Sequence, residues 1–310
     1  MQNRYSFATR RLSATIVLAC AVGVPRHAIS QPPVVSGDSA VTTTIRVGGL
    51  AIRARTAGLA RRDPRKPVVV FESGGGAPLE TWNTILPAVA AFAPVVTYDR
   101  AGTGQSAWDS LPPTPERVVA RARRVLATLD VAPPYVLVGH SWGGALIRYF
   151  GGSFPTDVTG MVYLDPADIT QTPTDELAIF ESIGADAAAR DAFYSLMERG
   201  MAGAPAPMRA EGEVTLGLFK ADLAGRRLPP APDVPTTVIL AGKPAVLPPG
   251  SVPFDTRRYA EAVQQARLRR LREWVRAPGE LLIATSSGHL VHVSEPQLVI
   301  EAIRRLVERR

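Results

Sequence analysis

The stretch Gly139-His140-Ser141-Trp142-Gly143-Gly144 constrains the fold more than any other part of the chain. It follows the apolar run Tyr135-Val136-Leu137-Val138 and precedes Ala145-Leu146-Ile147-Arg148-Tyr149-Phe150. That order is strand, sharp turn and helix, with a serine at the apex. So tight a turn holds the apex residue in a sparsely allowed backbone region. It needs glycine two positions before and two after, so that strand and helix can approach. The serine hydroxyl then stands at the carboxyl edge of a sheet, beside a helix N-terminus that favours negative charge.

The rest of the chain alternates in the same rhythm. Val41–Val47 and Leu50–Thr56 alternate apolar and polar residues around Gly48-Gly49, which predicts a hairpin. Val68–Phe71, Pro94–Tyr98, Gly160–Leu164, Pro235–Leu240 and Leu281–Ala284 are short apolar runs of the kind that buried parallel strands require. Helical periodicity covers Leu79–Phe92, with Trp82, Ile85, Leu86 and Val89 on one face. It returns after Thr114-Pro115, where Thr114 is placed to cap a helix, and again over Thr256–Val275 and Pro296–Val307. The expectation is an α/β fold: a mostly parallel central sheet with helices on both faces. Residues 167–233 break the rhythm with Ala, Pro, Gly and charge, with helical pieces at Glu176–Ile183, Ala185–Arg199 and Val214–Ala224.

Composition matters chiefly at the N-terminus. Arg4, Arg10 and Arg11, then apolar Leu12–Val24, then Ala28-Ile29-Ser30 make residues 1–30 a predicted signal peptide, and the protein a predicted secreted or periplasmic one. Residues 31–40 follow as a flexible lead-in. Cys20, the only cysteine, sits in a weak lipoprotein-like box and leaves with the signal, so no disulfide or thiol chemistry is expected. The net charge of +7 falls to +3 without the four arginines of the first 30 residues. The remainder is spread along helices without a nucleic-acid motif, so no such partner is expected. Gly102-x-Gly104-x-x-Ala107 superficially matches a dinucleotide fingerprint, but Trp108–Pro113 is loop where that site needs a helix. No metal-binding spacing appears, so neither cofactor nor metal is expected.

A serine nucleophile needs a base, and the base needs an orienting group. Of four histidines, His27 lies in the signal and His140 inside the turn, which leaves His289 and His292. The carboxylates open to the third role are Asp165, Asp168 and Asp255.

Four landmarks, in order, resemble the α/β-hydrolase superfamily: Ser73-Gly74-Gly75-Gly76 after a strand, Asp99–Ser106, Gly139–Gly144 and Gly288-His289. The resemblance implies a core of residues 41–166 and 234–310 with a helical cap at 167–233. It implies Ser141 as nucleophile, His289 as base, and the backbone N–H groups of Gly75 and Trp142 as the oxyanion hole. Asp99 would brace its turn. The family's usual acid position, after the strand ending at Leu240, holds no carboxylate in Ala241–Leu247. The family's other position points to Asp165. The implied activity is hydrolysis of a small ester-like substrate through an acyl-enzyme. Peptidase, lactonase and carbon–carbon hydrolase chemistry, or ligand capture without turnover, stay open. Haloalkane dehalogenases and epoxide hydrolases, which use an aspartate nucleophile, fit less well.

Overall fold

A computed structural model describes residues 40–220 and 228–309. The predicted signal peptide, Cys20 and all of the lead-in but residue 40 lie outside those residues. Among the described residues, no helix is long and apolar enough to cross a membrane.

Eight strands form one sheet: β1 (Val41–Val47), β2 (Leu50–Ala57), β3 (Val68–Glu72), β4 (Val95–Tyr98), β5 (Tyr135–His140), β6 (Val158–Leu164), β7 (Thr236–Ala241) and β8 (Leu281–Ala284). Their spatial order is β1-β2-β4-β3-β5-β6-β7-β8. The β1–β2 hairpin and the β2–β4 pair are antiparallel, and every other pair is parallel. Side chains alternate across the sheet, so each apolar strand feeds two cores. Val68, Val70, Leu137 and Leu240 pack under α2 (Pro115–Thr128), α3 (Trp142–Ser153) and α7 (Thr256–Arg272). Val69, Phe71, Val138 and Ile239 face α1 (Leu86–Ala90) and α9 (Pro296–Val307). The registers Glu72↔Gly139, His140↔Leu164 and Ala241↔Ala284 bring the carboxyl ends of β3, β5, β6, β7 and β8 to one edge.

Several boundaries differ from the sequence expectation, each for a local reason. Leu79–Phe92 is not one helix: a 3₁₀ turn at Leu79–Trp82 is followed by α1. Pro87 would break the interior of a long helix but is tolerated in the first turn of a new one. The buried face Trp82, Ile85, Leu86 and Val89 survives the break. Thr114 occupies the N-cap of α2, yet its side chain makes no capping hydrogen bond. Between β6 and β7 lie α4 (Pro173–Ser182), α5 (Ala187–Ala202) and α6 (Ala206–Lys220). The last begins eight residues before its expected start at Val214, because Pro205 and Pro207 stand at its head, where a missing N–H costs nothing. The end expected at Ala224 lies outside the described residues. Helix α7 stops at Arg272, short of Val275, because Arg276 leaves to pair its backbone with Thr236 at the start of β7.

Candidate active site

Ser141 joins β5 to α3 with φ 52° and ψ −120°. The glycines around it are required by contact. A Cβ on Gly139 would stand 2.5 Å from the Gly143 carbonyl, one on Gly143 would overlap the Glu72 carbonyl, and one on Gly144 would meet Pro166 at 2.5 Å. The turn is tied into the sheet edge, with Ser141 N–H donating to Leu164 O at 3.0 Å and Ala167 N–H to Ser141 O at 2.9 Å.

Asp165, directly after β6, also holds a positive φ, of 40°. Its backbone N–H donates to Ile239 O at 2.7 Å, which pins it against β7. Its two carboxylate oxygens have different partners. Oδ2 lies 2.6 Å from Nδ1 of His289, which comes from the loop between β8 and α8 (Val291–Ser294). Oδ1 lies 2.9 Å from Nη1 of Arg267 on α7 and accepts the Ala241 N–H at 3.3 Å. Burial alone would raise Asp165, but the Arg267 charge and the His289 contact outweigh it and hold the carboxyl well below the usual range. An ionised carboxylate only accepts, so the proton of His289 sits on Nδ1 and the lone pair on Nε2.

The other candidates are engaged elsewhere. Asp255 caps α7 by accepting the N–H groups of Arg257 and Arg258. Asp168 holds Arg270 Nε at 2.7 Å and the Thr170 hydroxyl at 2.6 Å. The His292 ring is buried against Trp82, with Nε2 3.0 Å from the Thr81 hydroxyl. Burial, with His289 nearby, pushes it down to about 3, so it stays neutral. His140 is kept neutral the same way, and its Nε2–H donates to the His289 carbonyl at 2.9 Å. This histidine of the turn therefore braces the loop that carries His289, a role only the fold reveals.

On the other side of Ser141 the loop Ser73–Gly76 holds Gly75 at the cavity wall. Asp99 braces its own turn by accepting Gln105 N–H at 2.9 Å, and ties it to the 3₁₀ turn at Leu79–Trp82 by accepting Leu79 N–H at 2.7 Å. Next to it Arg100 is buried and forms a network absent from the sequence expectation. It binds Glu72 on β3 and Glu211 on α6, together with the carbonyls of Ser73 and Gly74. A glutamate ending an otherwise apolar strand was the one available signal. Nothing local marks Glu211.

Ser141, Trp142, Gly75, Asp165 and His289 all line one cavity of about 250 Å³. Ile179 of α4, Phe193 and Met197 of α5, and Met208 and Leu216 of α6 make much of its apolar wall. Among the described residues no hydrogen bond joins Ser141 to His289, a loose arrangement common where no substrate is bound. Nor does any group of three or more His, Cys, Asp or Glu among them stand ready to hold a metal.

The model of the alpha/beta hydrolase family matches residues 69–302. The uncharacterized protein YqjL of Bacillus subtilis is 36% identical over 99 residues, which are 32% of this chain and 39% of that protein. This chain thus spans well under two thirds of that curated relative. A haloalkane dehalogenase of Sphingobium indicum is 23% identical over 270 residues, 78% of this chain and 88% of its own. Among solved structures, the enol-lactonase of Burkholderia xenovorans LB400 superposes with a TM-score of 0.58 at 17% identity, over 86% of this chain and all of the other. At that identity the likeness speaks for the fold alone.

Proposed function

This chain belongs to the alpha/beta hydrolase family, and from that premise we propose that it is a serine hydrolase of carboxylic esters. The observation that carries the proposal is the 2.6 Å contact between Asp165 and His289 at a cavity that Ser141 also lines. Ser141 Oγ attacks the ester carbonyl while His289 Nε2 takes its proton. Asp165 steadies the imidazolium that forms. The tetrahedral oxyanion accepts the N–H groups of Trp142 and Gly75. His289 returns the proton to the departing alcohol, and water, deprotonated by the same nitrogen, releases the acid from the acyl-enzyme.

The substrate is compact and largely apolar. A cavity of about 250 Å³ sits below the usual range for drug-sized ligands, and its wall carries Phe193, Met197 and Met208. Methionine adapts to irregular apolar shapes, which suits a range of short acyl groups. A lactone is a cyclic ester and fits the same chemistry. A dehalogenase reaction fits less well, because Ser141 stands where that chemistry uses an aspartate. The protein is exported on its N-terminal 30 residues, which N-terminal sequencing of the mature form tests.

A second reading, capture of a ligand without turnover, is favoured by the lack of a carboxylate in Ala241–Leu247, the family's usual acid position. A fluorophosphonate probe and p-nitrophenyl butyrate separate the two. The expected result is an adduct on Ser141 and hydrolysis that disappears in Ser141→Ala. No adduct, or equal hydrolysis in the variant, sinks the serine-hydrolase reading.

A further inference from the structure

We infer that Arg100 and Glu211 position the oxyanion amide of Gly75, so that seating α6 over the cavity and readying the serine site are one event. This rests on the ester-hydrolase proposal above.

The loop Ser73–Gly76 has three consecutive glycines, and Gly76 adopts φ 65°. Such a backbone has too much freedom to hold one peptide orientation unaided. One turn bond, from Ala77 N–H to Gly74 O at 3.2 Å, spans the loop, and Arg100 supplies the rest of the constraint. Its Nη1 donates to Ser73 O and its Nη2 to Gly74 O, both at 2.7 Å. A trans peptide is planar, with C=O and the following N–H antiparallel. Gripping the Gly74 carbonyl therefore aims the Gly75 N–H away from the guanidinium. Gly75 lines the cavity with Ser141. On the next residue, Gly76 N–H donates to Glu211 Oε2 at 2.6 Å. Glu211 in turn receives Arg100 Nε at 2.6 Å and Nη2 at 2.8 Å. Glu72 takes the last guanidinium donor, from Nη1 at 2.9 Å.

Arginine has five N–H donors, and these contacts engage all of them. None is left for a substrate, so Arg100 acts through the loop. Glu211 belongs to α6, whose Met208 and Leu216 also line the cavity. Displacing α6 removes an anchor from the Gly76 peptide and a bidentate partner from Arg100 at once.

The test uses the full chain with Glu211→Gln and Arg100→Lys. Glutamine keeps the shape of Glu211 but loses the charged fork. Lysine keeps the charge of Arg100 but cannot hold two carbonyls and a carboxylate together. For p-nitrophenyl butyrate, Glu211→Gln is expected to lower kcat by roughly 10- to 100-fold with little change in KM, less than the full loss of an oxyanion donor. Binding of butylboronic acid, which forms a tetrahedral anion on a serine, is expected to weaken by the same factor. Arg100→Lys should lose at least as much; where it does not fold, Glu211→Gln decides alone. A folded Glu211→Gln with unchanged kcat and boronate affinity, or one that changes only KM or melting temperature, overturns the inference while leaving the serine-hydrolase reading intact. A wild type that the fluorophosphonate probe does not label brings down both.

Discussion

Two arginine–carboxylate clusters flank Ser141, and they differ in charge ratio, one carboxylate to one arginine against two to one. At Asp165 a single carboxylate meets Arg267, the His289 Nδ1 donor and the Ala241 N–H. At Arg100 one guanidinium is shared between two carboxylates, Glu72 and Glu211, and the Tyr98 hydroxyl adds a further bond to Glu72. Both carboxylates are deep in the protein, yet Asp165 is held well below its ordinary range, whereas burial pushes Glu72 above its own despite Arg100 and Tyr98. The balance of donors and charges around each group, and not burial alone, sets the direction. The first cluster keeps a negative charge available to orient a base. The second immobilises a loop.

Substitutions in the two clusters should differ widely in effect. The largest expected effect is Asp165→Asn, which removes the charge that holds His289 in the useful tautomer. Ester turnover is expected to fall by about 10⁴-fold, and a loss under tenfold would move the acid elsewhere. Next comes Arg267→Met, which leaves Asp165 charged with one partner fewer. Asp165 is buried but Arg267 is partly exposed, so the expected cost is about 2 kcal/mol, below that of a fully buried pair, to be read from urea denaturation. A change within experimental error would show that Arg267 is dispensable to the cluster. Glu72→Gln should cost only about 1 kcal/mol, because the amide oxygen still accepts from Arg100 and the excess negative charge is gone.

The pH dependence sharpens the contrast, since the two groups have opposite signs. The depressed Asp165 contributes stability that is present above the unfolded value of about 3.9 and is lost as pH falls through its folded value. The raised Glu72 contributes stability that is fully present below the unfolded value of about 4.3 and is lost as pH rises through its folded value. Melting temperatures across pH 3–7, an interval of roughly one unit below to three above these references, should show a shallower acid-side decline in Asp165→Asn. In Glu72→Gln the decline above the carboxylate range should shrink. Identical profiles for both variants and the wild type would remove the electrostatic distinction.

Local features of the chain were legible early. The strand–turn–helix at Gly139–Gly144, the hairpin at Gly48-Gly49 and the closing helix at Pro296–Val307 depend on neighbours in sequence, so residue type and spacing suffice. Where a helix boundary shifted, at Pro87, Pro205 and Arg276, a proline was placed in a first turn or a strand edge drew the backbone away. Residue type and spacing left Asp165, Asp168 and Asp255 open, because all three suit turns or caps, and only the family resemblance pointed to Asp165.

By itself the sequence determined the alternating architecture, the strained serine turn and the short set of groups able to act with it, since these follow from backbone sterics and apolar period. The tertiary structure brought Asp165, which only the family resemblance had singled out, to His289, and it alone decided that His140 holds the loop beyond it and that Arg100 binds a glutamate 111 residues away. Such pairings are set by where strand ends converge, and that convergence carries no mark in the residues on either side.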